Sequence, residues 1–76
     1  MSQPSRPLDT HAMRRVAAQL EADNPLWIVV FGAYSREFVA FPRFDTPSYA
    51  VVTVNYPGAM PDRMRAVEAW ASGVRR

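Results

Sequence analysis

The stretch that decides the fold is WIVVFGAYSREFVAFPRF, residues 27–44. It holds two apolar runs rich in β-branched and aromatic residues, and the polar interruption Tyr34-Ser35-Arg36 separates them. Short runs of this composition, bounded by glycine, proline and turn residues, are typical of β-strands. The stretch therefore predicts a hairpin with strands over residues 26–33 and 38–41, the second of which can start at Glu37.

The interruption itself predicts a loop of more than two residues. It lacks the Asn-Gly or Asp-Gly pair of the commonest two-residue turns, and Gly32 is the candidate for an unusual backbone angle. Pro42 has no N–H to donate to a neighbouring strand, so we expect it at a strand end or on an edge.

A helix is predicted before the hairpin. Asp9 or Thr10 can cap its first turn, and Asn24-Pro25 ends it, because the residue before a proline avoids the helical region. Residues 1–8, with two prolines, are predicted to be a flexible tail ahead of a single domain over residues 9–76. The apolar stripe of the helix has the helical period and consists of Met13, Val16, Ala17 and Leu20.

A third strand and a second helix are predicted after the hairpin. The strand covers residues 49–55, and Tyr56-Pro57-Gly58 breaks it. The helix covers residues 61–72 and stops at Gly73. Its apolar stripe consists of Met60, Met64, Val67 and Ala71. The predicted fold is α+β in the order α-β-β-β-α, with a three-stranded antiparallel sheet and two helices mainly on one face.

The first strand is apolar on both faces, which predicts that both faces are covered. Two short helices cover only one. We expect them on the more uniform aliphatic face, which carries Ile28, Val30, Ala50, Val52 and Val54. The other face then carries Trp27, Val29, Phe31, Tyr49 and Thr53. Phe38 and Ala40 join it in the expected hairpin register, and a shift of one residue would move both to the opposite face. A large exposed apolar face usually marks an interface, although cover from elsewhere in the chain is the alternative.

Composition excludes several kinds of site. The 76 residues contain no cysteine and one histidine, His11, which excludes thiol chemistry and leaves no visible metal site. No cofactor is expected. The amino-terminal residues lack a signal-peptide pattern and no uncharged run reaches membrane-spanning length, so the sequence predicts a cytoplasmic protein without a membrane partner.

Catalytic combinations are weak in this sequence. Ser35 lies in a turn far along the chain from His11, without the context of a triad. Glu37 and Asp45 would need a cleft to act as an acid–base pair, and ion pairing with Arg36 or Arg43 is the simpler interpretation. The protein is therefore not expected to be an enzyme.

Arginine supplies all nine basic residues, and the net charge is +2. The positive charge is concentrated at the two ends of the chain. If the helices lie side by side, they predict a basic stripe that could contact phosphates, formed by Arg14, Arg15, Arg63, Arg65, Arg75 and Arg76. Binding of nucleic acid is thus the alternative function, and a solvated helix surface is the simpler explanation of these arginines.

Four short motifs carry a resemblance. They are P-x-W at residues 25–27, Y-S-R-E at 34–37, A-F-P at 40–42 and M-R-x-V-E at 64–68. With them, residues 20–67 resemble a set of small actinobacterial proteins to which no activity is assigned. The resemblance implies no catalytic residue; such small proteins often resemble accessories to regulators.

The main functional prediction is a non-catalytic interaction or regulatory accessory protein, a homodimer or a binder of another protein. Tyr and Arg are favoured anchors at interfaces, and both occur near the hairpin loop. The predicted interface residues are Trp27, Val29, Phe31, Tyr34, Arg36, Phe38, Arg43 and Tyr49.

Overall fold

Two helices and three strands make up the fold. The structure, a computed structural model, describes residues 6–46 and 50–74, and the side chains of residues 10–46 and 50–73. The elements are α1 (Arg6–Asp23), β1 (Trp27–Gly32), β2 (Glu37–Pro42), β3 (Val52–Val54), a 3₁₀ turn (Pro57–Ala59) and α2 (Met60–Val74). This order confirms the predicted α-β-β-β-α arrangement with an antiparallel sheet.

Helix α1 begins earlier than predicted. It starts at Arg6, three residues before the predicted start, and Pro7 lies in the first turn, where its missing N–H has no helical partner to lose. Residues 1–5 lie outside the described part of the chain. The helix ends where predicted, and the Asn24 Nδ2 donates to the free carbonyl of Leu20 at 2.8 Å.

The hairpin has the predicted register but a different source of its unusual backbone angle. Phe31 pairs with Phe38 and Val29 pairs with Ala40, which leaves a four-residue loop over residues 33–36. Arg36, not Gly32, has a left-handed backbone, with φ of 63°. The Arg36 N–H donates to the Gly32 carbonyl at 2.7 Å and closes the loop.

Strand β3 covers three residues, whereas the sequence predicted seven. It pairs with β2 through Phe38–Val54, Val39–Thr53 and Ala40–Val52. The next hydrogen-bonded pair between β2 and β3 would join Pro42 to residue 50. Because Pro42 has no N–H to donate, the pairing stops before it. The pairing of β2 with β1 continues past Pro42, because the Arg43 N–H donates to the Leu26 carbonyl at 2.7 Å.

Both helices pack on one face of the sheet, as predicted, and the core lies between them and the sheet. The largest side chains with almost no exposure are Trp27, Phe38, Met60 and Met64. Residues partly buried against this core include Met13, Val16, Leu20, Phe31, Phe44 and Val67. The helical stripes predicted from the sequence therefore do face the sheet.

The prediction of which sheet face the helices cover is wrong for β1 and β2 and right for Val52 and Val54 of β3. Trp27 and Val29 are buried, whereas Ile28 and Val30 are 40% and 45% exposed. On the neighbouring strands, Phe38, Ala40, Val52 and Val54 are also buried. The indole of Trp27 and the ring of Phe38 need deep cover, and the small residues Ala17 and Ala40 in the same cluster leave room for them.

Candidate functional site

The uncovered face of the sheet is the candidate site. Side chains alternate along each strand, so the residues between the buried ones point away from the helices. Ile28 pairs with Phe41, Val30 with Val39, and Val39 with Thr53. We call this surface the open face and define it by Ile28, Val30, Val39, Phe41 and Thr53. Apart from Thr53, its members are large and apolar.

Exposure on the open face is high for residues of this type. Ile28, Val30 and Phe41 are each about two-fifths exposed, and Val39 on the central strand is half-buried by its neighbours. Leu26, which precedes β1, is 52% exposed and extends the apolar surface beyond Ile28. Exposed apolar residues are ordinary when scattered singly, but these side chains are adjacent across the two strands β1 and β2.

A charged residue lies at each end of the open face on the central strand. Glu37 is the first residue of β2, and Arg43 follows its last residue. By alternation, Glu37 lies on the same side of the strand as Val39 and Phe41. Arg43 continues the alternation past Pro42, because the next residue, Phe44, packs against the buried Trp27 on the covered side. Along the open side of the central strand, an acidic residue is therefore followed by two apolar residues and then by a basic residue.

Arg43 is held loosely within its own chain. Its Nη2 lies 3.5 Å from Glu21 Oε2, and its Nε is 3.4 Å from the Trp27 carbonyl. About half of the Arg43 side chain is exposed. Both distances are at the long end for a hydrogen bond, so these contacts contribute little. Among the described residues, Glu37 forms no ion pair.

The outer edge of β1 is blocked by the chain itself. The Trp27 N–H donates to the Asn24 carbonyl at 2.9 Å, and the Val29 N–H donates to Glu21 Oε1 at 2.8 Å. Unpaired groups on an edge strand would otherwise invite another strand to add to the sheet. The other edge is β3, which is only three residues long. The apolar open face therefore offers more surface to a partner than either edge.

A polar cluster on the covered face ties α2 to α1 and β1. The Trp27 Nε1 donates to Glu68 Oε2 at 2.7 Å, and Arg65 donates to both oxygens of Glu68 at 2.9 and 2.7 Å. Arg65 also donates to Asn24 Oδ1 at 2.9 Å. The hydrogen bonds from Arg65, with a further one from Trp27, hold the pKa of Glu68 below its ordinary value of 4.5, although partial burial opposes this. Glu68 is thus already engaged and serves structure.

This cluster predicts acid sensitivity. The lowered pKa of Glu68 means that the unfolded chain binds a proton at this carboxyl more tightly than the folded chain. The stabilisation is complete above the ordinary pKa of 4.5 and is lost as pH falls through the lower folded value. Because the side chain is 26% exposed, we expect a loss of about 1 kcal/mol or less. Urea unfolding at pH 7 and at about pH 3 measures it. The Glu68→Gln variant should show a smaller loss between these pH values, and an equal loss would contradict the assignment.

Four predicted interface residues lie in the core or pack against it. Trp27, Val29 and Phe38 are at most 5% exposed in the core. Phe31 packs against that core, with its ring 4.9 Å from Phe38. These residues were assigned to an exposed face because the covered face was misidentified. Tyr49 lies outside the described residues.

The remaining predicted interface residues lie near the ends of the hairpin. Tyr34 is fully exposed in the loop. Arg36 is exposed but attached to its own chain, since its Nη1 donates to Thr10 Oγ1 at 2.7 Å and its guanidinium lies 5.1 Å from the Phe31 ring centre. Arg43, at the other end of the hairpin, borders the open face. Only Arg43 among them is next to a continuous apolar surface.

The arginines of the alternative function do not line one groove. Arg14 borders an open groove with Val29, Val30 and Phe31 at the β1 edge. Arg63 borders a different groove beside β3, and Arg65 is engaged by Glu68 and Asn24. Arg15 is exposed on α1, whereas Arg75 and Arg76 lie outside the described residues. The grooves of Arg14 and Arg63 are on opposite edges of the sheet.

The sequence candidates for chemistry are also separated. His11 is exposed on α1, and Ser35 is exposed in the hairpin loop. Glu37 is the first residue of β2, whereas Asp45 lies three residues after the last residue of that strand. In the described ranges, no three His, Cys, Asp or Glu residues come together as a possible metal site. An open depression of about 280 Å³ beside Leu26 and Phe44 includes Glu68, whose oxygens are taken by Arg65 and Trp27.

Comparison of the chain with protein-family models, curated proteins and solved structures finds no significant match. The resemblance to small actinobacterial proteins therefore stays a prediction. Over the parts of the chain that the structure describes, no helix combines the length and the apolar character needed to cross a bilayer.

The sequence analysis missed Ile28, Val30, Val39 and Phe41 as surface residues. A signal for them was present in the hairpin. Trp27 carries an N–H that needs a partner when buried, and α2 carries a carboxylate, Glu68, that can accept it, whereas a β-branched aliphatic face has no donor for that carboxylate. Weighing that donor would have directed the Trp27 face towards the helices and left the aliphatic face open.

Proposed function

We propose that this protein is a non-catalytic interaction module with an accessory or regulatory role, and that it self-associates through the open face. The observation that carries the proposal is the exposure of Ile28, Val30 and Phe41 side by side on an uncovered sheet face. Removing such a surface from water is favourable at about 25 cal/mol per Å². A second copy of the chain offers a face of the same shape and chemistry.

The expected association is weak. Two strands about 20 Å long and one about 10 Å long, spaced about 4.8 Å apart, give a face of roughly 240 Å² per copy. Standard interfaces bury about 800 Å² per partner, so we expect a weak dimer that exchanges with monomer. A weakly held second copy can also be replaced on the open face by another protein.

Sedimentation equilibrium of the unmodified protein tests the proposal. The chain has a mass of 8.6 kDa, so a dimer has about twice that mass. We expect the average mass to rise towards the dimer value over the range from about 10 µM to about 1 mM, as weak association requires. A constant monomer mass over that range would contradict self-association.

Binding of nucleic acid has less support. The separation of Arg14 from Arg63 across the sheet, and the engagement of Arg65 by Glu68, leave no continuous basic groove among the described residues. If this function were the correct one, binding to a short duplex would weaken steeply as salt is added.

A further inference from the structure

We infer that two copies pair face to face with their central strands antiparallel, and that Glu37 of each copy lies against the partner's Arg43. This inference rests on the proposed self-association and specifies its geometry. It is carried by the order of residues on the open side of β2 and at the first position after it, which is Glu37, Val39, Phe41, Arg43.

Of the two possible two-fold axes in the plane of the interface, only one brings each acidic residue of this order opposite a basic residue of the second copy. A two-fold axis in the plane of the interface, perpendicular to the strands and near Ala40, reverses the strand direction of the second copy. Val39 then faces the partner's Phe41, and each Glu37 faces the partner's Arg43. An axis parallel to the strands would instead bring Glu37 to the partner's Glu37 and Arg43 to the partner's Arg43, which places like charges together.

The neighbouring strand fits the same rotation. In the sheet, Ile28 is level with Phe41 and Val30 is level with Val39. Reversal of the second copy therefore sets Ile28 against the partner's Val30, and a large aliphatic side chain meets another of similar size. Two sheets packed in this way lie about 10 Å apart with strands roughly aligned.

The charged residues are available for this exchange. Glu37 has no ion pair among the described residues. The ion pair of Arg43 with Glu21 is long, with 3.5 Å between Nη2 and Oε2. Arg43 can leave that long contact at little cost and meet the partner's carboxylate at the rim of the interface. The two pairs fix the orientation of the copies, while the apolar residues between them provide most of the affinity.

Charge exchange tests the orientation. Glu37→Arg and Arg43→Glu each turn two attractive contacts per dimer into two repulsive ones, and we expect either change to weaken the dimer on the order of tenfold or more. The double variant Glu37→Arg/Arg43→Glu restores opposite charges at both ends, so its dissociation constant should return to within about threefold of the unmodified value. Sedimentation equilibrium gives the dissociation constants, and circular dichroism confirms that each variant is folded.

A matched control separates the dimer contact from the contact inside the chain. Glu21→Gln removes the charge partner of Arg43 within its own copy, and we expect dimerisation to be unchanged or slightly stronger. Single variants that dimerise normally, or a double variant as weak as the singles, would overturn the antiparallel arrangement. The proposed function would survive that result if the unmodified protein dimerises and a charge on the open face prevents it.

Salt provides a second measurement that needs no variant. Raising the NaCl concentration from about 0.05 M to about 0.5 M screens the rim charges and should weaken the unmodified dimer more than the doubly neutral Glu37→Gln/Arg43→Gln dimer. An equal response of the two proteins would overturn the pairing of Glu37 with the partner's Arg43.

Discussion

Replacement of Trp27 by alanine is expected to lower the free energy of unfolding by about 3–5 kcal/mol. Trp27 has no exposed surface, packs edge-on against Phe44 with ring centres 5.4 Å apart, and donates its indole N–H to Glu68. A chain of 76 residues has a total stability of about 4–11 kcal/mol, so this one change removes a large share of it. Urea unfolding followed by circular dichroism measures the loss.

Trp70 provides the matched control, because it is the second tryptophan of the chain and is 43% exposed on α2. Trp70→Ala should cost about 1 kcal/mol or less, since most of the lost surface already contacts water. Equal effects of the two substitutions would show that the core is not centred on Trp27.

Replacement of Ile28 by glutamate is expected to abolish self-association while leaving the fold intact. In the monomer, Ile28 is 40% exposed, so a carboxylate at this position reaches water. In the dimer, the same carboxylate would be buried against an apolar partner surface without a counter-charge, which costs several kcal/mol. We therefore expect a monomer in sedimentation equilibrium at concentrations where the unmodified protein is mostly dimeric.

The control for this variant is Tyr34→Glu, which adds the same charge at a fully exposed position away from the open face. It should dimerise normally, and both variants should melt within a few degrees of the unmodified protein. If Tyr34→Glu abolished association and Ile28→Glu did not, the hairpin loop and not the open face would be the interface.

The order of elements could be predicted because breakers mark its boundaries. Asn24-Pro25 ends α1, and Tyr56-Pro57-Gly58 separates β3 from α2. The first turn of α1 and the length of β3 could not be fixed in the same way. Each depends on a proline, whose effect depends on whether a backbone N–H is needed at its position. Pro7 lies in the first turn of a helix, where no N–H is needed, and Pro42 lies where β3 would need one.

The covered face of the sheet was the decisive unknown for the candidate site. Both faces of β1 are apolar, so periodicity alone does not choose between them. The choice depends on tertiary facts: the volume of Trp27 and Phe38, the small Ala17 and Ala40 beside them, and the carboxylate of Glu68 that receives the indole N–H. The pattern Glu37, Val39, Phe41, Arg43 was visible in the sequence, but it acquires meaning only once its face is known to be open.

The blocked edge of β1 sets a limit on stoichiometry. Molecules that join edge to edge leave a new edge free at each end, so such growth has no natural stopping point. Here Asn24 and Glu21 occupy the backbone N–H groups of Trp27 and Val29, and the described part of each molecule has a single open face to offer. An assembly built on that face is complete with two chains, since neither copy has a second one left. Rising concentration should therefore saturate the dimer and produce neither filaments nor larger oligomers.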